Sequence, residues 1–181
     1  GQVASGYRLS NISVVPPVIT VYSSDPAVVA ALPGVVETRP LELDNVSDDV
    51  TTRLELNLPV GVSVVGEQTV LIQAGVSPIQ SSLTISDEVV QIVGLPSGLN
   101  AQILPATVDV IVSGPLPLLD TLTRQDIRVT VDVTGLQVGT HQLKPKVEIL
   151  IADVRMESIL PGTIEVTLTQ AGGTPVPTPT P

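Results

Sequence analysis

Apolar and polar side chains alternate with a period of two through much of this chain. Val50, Thr52, Leu54, Leu56 and Leu58 are separated by Thr51, Arg53, Glu55 and Asn57, and Ile127, Val129, Val131 and Val133 are separated by Arg128, Thr130 and Asp132. Successive side chains of a strand point to opposite faces, so these stretches predict half-buried β-strands. Shorter runs of the same kind are Ile19-Thr20-Val21, Leu41-Glu42-Leu43, Val70-Leu71-Ile72, Leu83-Thr84-Ile85, Val108-Asp109-Val110, Val147-Glu148-Ile149 and Ile164 to Leu168, with Gly, Pro, Asn and Asp between them. Two brief segments read as helical. In Ser24 to Gly34, Asp25 stands as N-cap, Pro26 takes the first helical position and Gly34 follows the end; Leu116 to Leu122 supplies the second. The pattern predicts an all-β or β-rich fold with one short helix per module.

The division into modules comes from an internal repeat. Val15-Pro16-Pro17-Val18-Ile19-Thr20-Val21 aligns with Leu104-Pro105-Ala106-Thr107-Val108-Asp109-Val110, and Pro105 lies 89 positions after Pro16. The register continues with Ser24-Asp25-Pro26 over Ser113-Gly114-Pro115, Leu32 over Leu122, Leu41-Glu42-Leu43 over Val131-Asp132-Val133, and Gln68-Thr69-Val70 over Gly162-Thr163-Ile164. Two tandem modules are expected, at residues 1–77 and 78–170. Residues 171–181, rich in Pro and Thr, are expected to be a disordered tail, an extended spacer that packs against nothing.

Composition narrows the chemistry. Hydrophobic residues make up 43% of the 181 positions with two Tyr and no Phe or Trp, so the core is built from Val, Ile and Leu. Each such side chain contributes roughly 1.5–3 kcal/mol when fully buried, and two modules therefore need many of them. The formal net charge is −10 and the 8 basic residues are scattered singly, which leaves no patch to displace counterions from a nucleic acid. The absence of cysteine removes disulfides and thiolate chemistry. Prolines interrupt the richest apolar stretches, so no 18-residue apolar span is expected within these residues.

The residues that could carry chemistry read as structural. The one histidine, His141, stands near the start of an expected strand without a Gly-x-Ser-x-Gly elbow, and is expected to be an exposed strand residue. Asp48-Asp49 and Asp87-Glu88 are paired carboxylates beside strands, expected as solvated turns. Asp44 to Asp49 offers oxygens for Ca²⁺ but lacks the glycine and terminal Glu of an EF-hand loop. One His and no Cys do not make a transition-metal site, and no phosphate-cradling glycine motif occurs. Asn11-Ile12-Ser13 and Asn45-Val46-Ser47 match the glycosylation pattern at the level expected by chance. The expectation is no catalytic residue, no metal, no cofactor and no enzymatic activity.

Pro16 to Val21, Ser24 to Leu32 and Pro40-Leu41-Glu42-Leu43 together resemble the YbbR repeat. The opening Gly6-Tyr7-Arg8-Leu9 is similar to the Gly-Tyr-x-Val lead into such repeats, and Gly94-Leu95-Pro96-Ser97-Gly98-Leu99 is similar to their Asn-Leu-Pro-x-Gly-Leu segment. The resemblance covers residues 3–170 and identifies two YbbR-like repeats, of the family that includes CdaR-type diadenylate cyclase regulators. It implies a non-enzymatic module outside the cytoplasmic membrane, in the bacterial cell envelope, in a full-length protein anchored through an N-terminal helix that these residues do not contain. The implied action is regulatory or scaffolding protein–protein contact, with a membrane diadenylate cyclase, the source of cyclic di-AMP, as the partner. The alternative is a mechanical stalk, spacer or adhesin-type repeat of a surface protein.

Overall fold

The computed structural model describes residues 1–172, and the chain divides into two compact units between Ile79 and Gln80. The residues expected as a tail lie outside the described residues from Gly173 onward; Ala171 still donates its N–H to the Gly98 carbonyl at 2.8 Å.

Unit 1 runs β1 (Tyr7–Val15), β2 (Val21–Tyr22), α1 (Pro26–Ala30), β3 (Glu37–Thr38), β4 (Val50–Asn57), β5 (Ser63–Val64) and β6 (Thr69–Pro78). An antiparallel sheet has the order β1-β6-β4-β3, and β2 pairs with β5. β6 holds an interior position because Val70, Ile72, Ala74 and Val76 recur at every second residue and are all buried. β4 alternates half-buried and exposed residues along its whole length, as its sequence predicts. Helix α1 starts where the capping signal stands: Asp25 Oδ1 accepts the Ala27 N–H at 2.8 Å.

Unit 2 runs β7 (Gln80–Val93), β8 (Leu99–Leu104), β9 (Thr107–Pro115), α2 (Leu116–Thr121), a 3-10 turn at Arg124–Asp126, β10 (Ile127–Asp132), β11 (Gly139–Leu143), β12 (Lys146–Ile149), β13 (Arg155–Leu160) and β14 (Ile164–Gln170). Its sheets have the orders β12-β10-β7-β9-β13 and β11-β14-β8. β7 pairs antiparallel with β9 from Gln80 to Val89, then parallel with β10 from Val90 to Val93. A register shift between Ile85 and Glu88, with Asp87 at φ +59°, marks the change. The core is almost entirely β-branched: Val108, Val110 and Val112 of β9, Val129 and Val131 of β10, and Ile164, Val166 and Leu168 of β14 are each at most 2% exposed. With no ring to fill space, close approach matters. A Cβ on Gly114 would lie 3.0 Å from the Asp153 carbonyl oxygen and 3.3 Å from Val154 Cα, so only glycine lets β9 pack there without displacing its neighbour.

The two units share a strand plan. β1 and β8 each follow a glycine of positive φ, Gly6 at +80° and Gly98 at +83°, inside matching turns in which Tyr7 N–H bonds to Ala4 O and Leu99 N–H to Pro96 O. β1 pairs antiparallel with β6 as β8 does with β14, and both strands end at a cis proline, Pro16 or Pro105. β4 flanks β6 as β11 flanks β14, and the pair Val21–Val64 corresponds to Val110–Ile159. A further turn matches, Val46 N–H to Leu43 O and Leu136 N–H to Val133 O.

Three expectations change. Leu41-Glu42-Leu43 forms no strand, and of Ile19-Thr20-Val21 only Val21 enters a ladder. The physical reason is a missing partner: the corresponding residues of unit 2 are held by β7, which has no counterpart among the described residues of unit 1. Asp87-Glu88, expected as a solvated turn, lies within β7, where Asp87 is exposed and Glu88 is buried.

Replacing Leu168 by Ala is expected to destabilise unit 2 by about 2–5 kcal/mol, because it removes a fully buried side chain from a close-packed core. Ile12→Ala, at a side chain left 56% exposed, is expected to fall within about 0.5 kcal/mol of the parent. Denaturant midpoints, followed by residue-resolved signals from each unit, measure both.

Candidate functional site

His141 and the carboxylates of Asp44, Asp48 and Asp49 are each committed to a local structural bond. His141, third residue of β11, is half-buried rather than exposed, and its Nε2–H donates to the Gln137 carbonyl at 2.9 Å, which closes the preceding turn. Asp49 Oδ1 accepts the Val76 N–H at 2.8 Å, so this carboxylate pins the start of β4 to β6. Asp48 accepts from the Ser47 hydroxyl, and Asp44 accepts the Gln2 N–H. Asp126 accepts both the Thr123 hydroxyl and its N–H, closing a capping box around the 3-10 turn. Among the described residues, no group of three or more His, Cys, Asp or Glu is placed to hold a metal ion.

Glu88, expected in a solvated turn, is instead a buried carboxylate. It sits just past the β7 bulge at 7% exposure, with Oε1 lacking a hydrogen-bond partner and lying 3.7 Å from Arg124 Nε. The Arg124 guanidinium reaches across from the 3-10 turn and also donates to the carbonyls of Ser86 at 3.1 Å and Asp87 at 3.4 Å. Asp87 N–H in turn bonds to Asp109 Oδ1 at 3.1 Å. Buried carboxylates are costly unless paired, and here the pairing ties the bulge of β7 to the turn that precedes β10. The signal was present in the sequence: Glu88, Val90 and Ile92 share one parity, so Glu88 had to face inward if they did. These groups hold the place where β7 changes partner. They form no nucleophile–base pair and no open cleft.

An apolar groove of about 410 Å³ lies elsewhere, in unit 1, lined by residues that include Val18, Ile19, Val21, Val35, Leu56 and Val70. No titratable side chain lines it, so its chemistry is that of an apolar binding surface.

Comparison with known proteins agrees with the resemblance at the level of the domain. A family model described as YbbR-like protein matches residues 83–168, just under half of the chain. Similar solved structures include the YbbR-like domain of a Listeria monocytogenes protein, at 25% identity, covering 53% of this chain and 99% of that one, with a TM-score of 0.46. They also include a YbbR-like protein of Streptococcus pneumoniae, at 18% identity, covering 52% of this chain and 49% of that one, with a TM-score of 0.44. A YbbR family protein from Desulfitobacterium hafniense is 23% identical, with coverage of 50% and 96% and a TM-score of 0.38. A search of curated proteins returns no match.

Hydrogen bonds from the Thr123 hydroxyl and N–H hold the Asp126 carboxyl below its ordinary value of 3.8, and those from Thr134 do the same for Asp132. A depressed folded-state pKa contributes stability that is fully present above the unfolded value and is lost as pH falls through the folded one. Carboxyl titration by NMR is therefore expected to place both midpoints below 3.8, with Asp126→Asn reducing the acid-side loss of stability. For the buried pair, Arg124→Ala is expected to lower the stability of unit 2 by about 1–3 kcal/mol, nearer the lower figure because Arg124 is largely exposed. Adding Glu88→Gln is expected to recover part of that loss, and a double-mutant cycle in urea reads the coupling.

Proposed function

We propose that the chain is a tandem of two YbbR-like repeats that acts without catalysis, by protein–protein contact, on the outer side of a bacterial cytoplasmic membrane. The observation that carries the reading is the match of residues 83–168 to the YbbR-like family together with the commitment of His141, Asp49 and the Glu88–Arg124 pair to fold-holding bonds. Repetition of the same strand plan in residues 1–79 supports counting unit 1 as the first repeat. No helix among the described residues is long and apolar enough to cross a membrane. In this reading the anchor belongs to the full polypeptide and these residues are the part that meets the partner.

The partner proposed is a membrane-bound diadenylate cyclase, and the mode is regulation or scaffolding. An enzyme whose catalytic domain lies across the bilayer is reached only through its own membrane part, so the contact must occur at that part and must differ between its active and inactive states. Sharing a membrane raises the effective concentration toward the millimolar range that linked partners reach, which lets a weak contact act. The Pro and Thr content of residues 174–181 favours a second reading, in which the repeats are a stalk or adhesin-type spacer that holds another domain away from the surface.

Vesicles carrying the cyclase separate these readings. Chain fused to a membrane-spanning helix is expected to change the rate of cyclic di-AMP formation, and the same chain added in solution is expected to leave it unchanged. An unchanged rate with the anchored chain favours the stalk. A changed rate when the soluble chain meets the isolated catalytic domain contradicts the contact proposed.

A further inference from the structure

The groove of unit 1 corresponds to the place that β7 fills in unit 2. There the second half of β7 lies between two strands: Glu88 and Val89 face Val108 and Thr107 of β9, and Val90 to Val93 run parallel to Val129 to Asp132 of β10. Under it, Val110, Val131 and Val133 are at most 1% exposed. In unit 1 the residues matching β9 begin at Val18, which is 81% exposed, and Val35 across the groove is 70% exposed. Leu41 and Leu43, which match Val131 and Val133, are only half-buried. Among the described residues, the backbone N–H groups of Val18, Ile19, Leu41, Glu42 and Leu43 donate to no other backbone group. The groove therefore exposes apolar side chains and the unpaired backbone of Val18 and Ile19, and residues 41–43, whose matches in unit 2 pair with or bond to β7, have unpaired backbone too; a single added strand meets both needs.

The bonds around Gln2 show from which direction such a strand would come. The matching turns set Ala4 over Pro96, Gly6 over Gly98 and Tyr7 over Leu99, so by count Gly1 falls on Val93, the last residue of β7. The local bonds agree. Val93 O accepts the Val133 N–H in unit 2, and in unit 1 Gln2 N–H bonds to Asp44 while Asn45 N–H bonds to Gln2 O, next to Leu43. Gly1 is thus held at the end of the unpaired segment 41–43, where the missing strand would end.

We infer that unit 1 is completed by a β-strand joined to Gly1, which runs back from Gly1 parallel to residues 39–43 and enters the groove beside Val18 and Ile19. Its pattern is that of Glu88 to Val93, extended with about six residues in the groove, and Val or Ile stands at the inward positions that match Val90 and Ile92. This goes beyond the contact role proposed above and does not depend on it. It assigns the groove to the repeat's own strand, which removes it from the surfaces open to a partner.

The test places a copy of residues 80–92 directly ahead of Gly1 in the full chain, with Glu88→Val in the copy because no charged side chain lines the groove to pair with it, and follows amide hydrogen exchange. Exchange at Ile19, Thr20 and Leu41 to Leu43 is expected to slow at least about tenfold, with the chain still monomeric by light scattering. The same extension carrying Val90→Asp and Ile92→Asp in the grafted copy is expected to give no protection, while amides of β9 and β10 in unit 2 stay slow in both chains and report that the protein is folded. Equal exchange with and without the extension overturns the inference. Slow exchange in the unextended chain, accompanied by dimerisation, also overturns it, because a second copy would then occupy the groove.

Discussion

Two demands act on every strand in this chain: its backbone groups need partners, and its apolar face needs cover. Without Phe or Trp the cover comes from small β-branched side chains, each of which fills little space, so depth of burial depends on how many strands converge. β7 is where the demands meet in unit 2. It pairs with β9 along one edge and β10 along the other, and Val108, Val110, Val112, Val129 and Val131 on those neighbours are at most 2% exposed. The bulge at Ile85 to Glu88 lets one strand serve both partners, and the Arg124 guanidinium fixes the bulge by holding two of its carbonyls and its buried carboxylate. In unit 1 the same plan lacks this strand, and side chains that would be core stand open.

The same constraint explains why the polar chemistry is structural. Alternating strands leave few inward positions for polar side chains: Glu88 is buried beside Arg124, and carboxylates at turns and strand starts are taken by backbone donors, Asp49 by Val76, Asp126 by Thr123, Asp132 by Thr134. The acidic balance of the chain keeps such faces solvated and works against nucleic acid.

Much of the fold was legible because period-two patterning and capping chemistry are local. β4, β10 and β14, both short helices and the Asp25 cap stand where the sequence puts them. The β-rich class with brief helices follows from that pattern. What was not legible depends on partners. Leu41-Glu42-Leu43 has strand patterning but no neighbour to pair with, and a strand without a ladder is only an extended segment. Asp87-Glu88 looked like a turn because two acids side by side usually stay in water; the parity of Glu88 with Val90 and Ile92 was legible, but the register shift before it follows from how β7 meets β9. The apolar groove was invisible for the same reason, since its side chains read as ordinary inward strand positions.

The central claim is that β7 supplies the cover and pairing that make one unit fully closed and leave the other partly open. Native-state hydrogen exchange of the unmodified chain under increasing urea tests it most directly. The account predicts that amides of β9, β10 and β14 exchange only through global opening of unit 2, while those of residues 19–20 and 41–43 exchange by local fluctuation, insensitive to low urea. Equal protection of the two sets, with the same denaturant dependence in a monomeric chain, would contradict it.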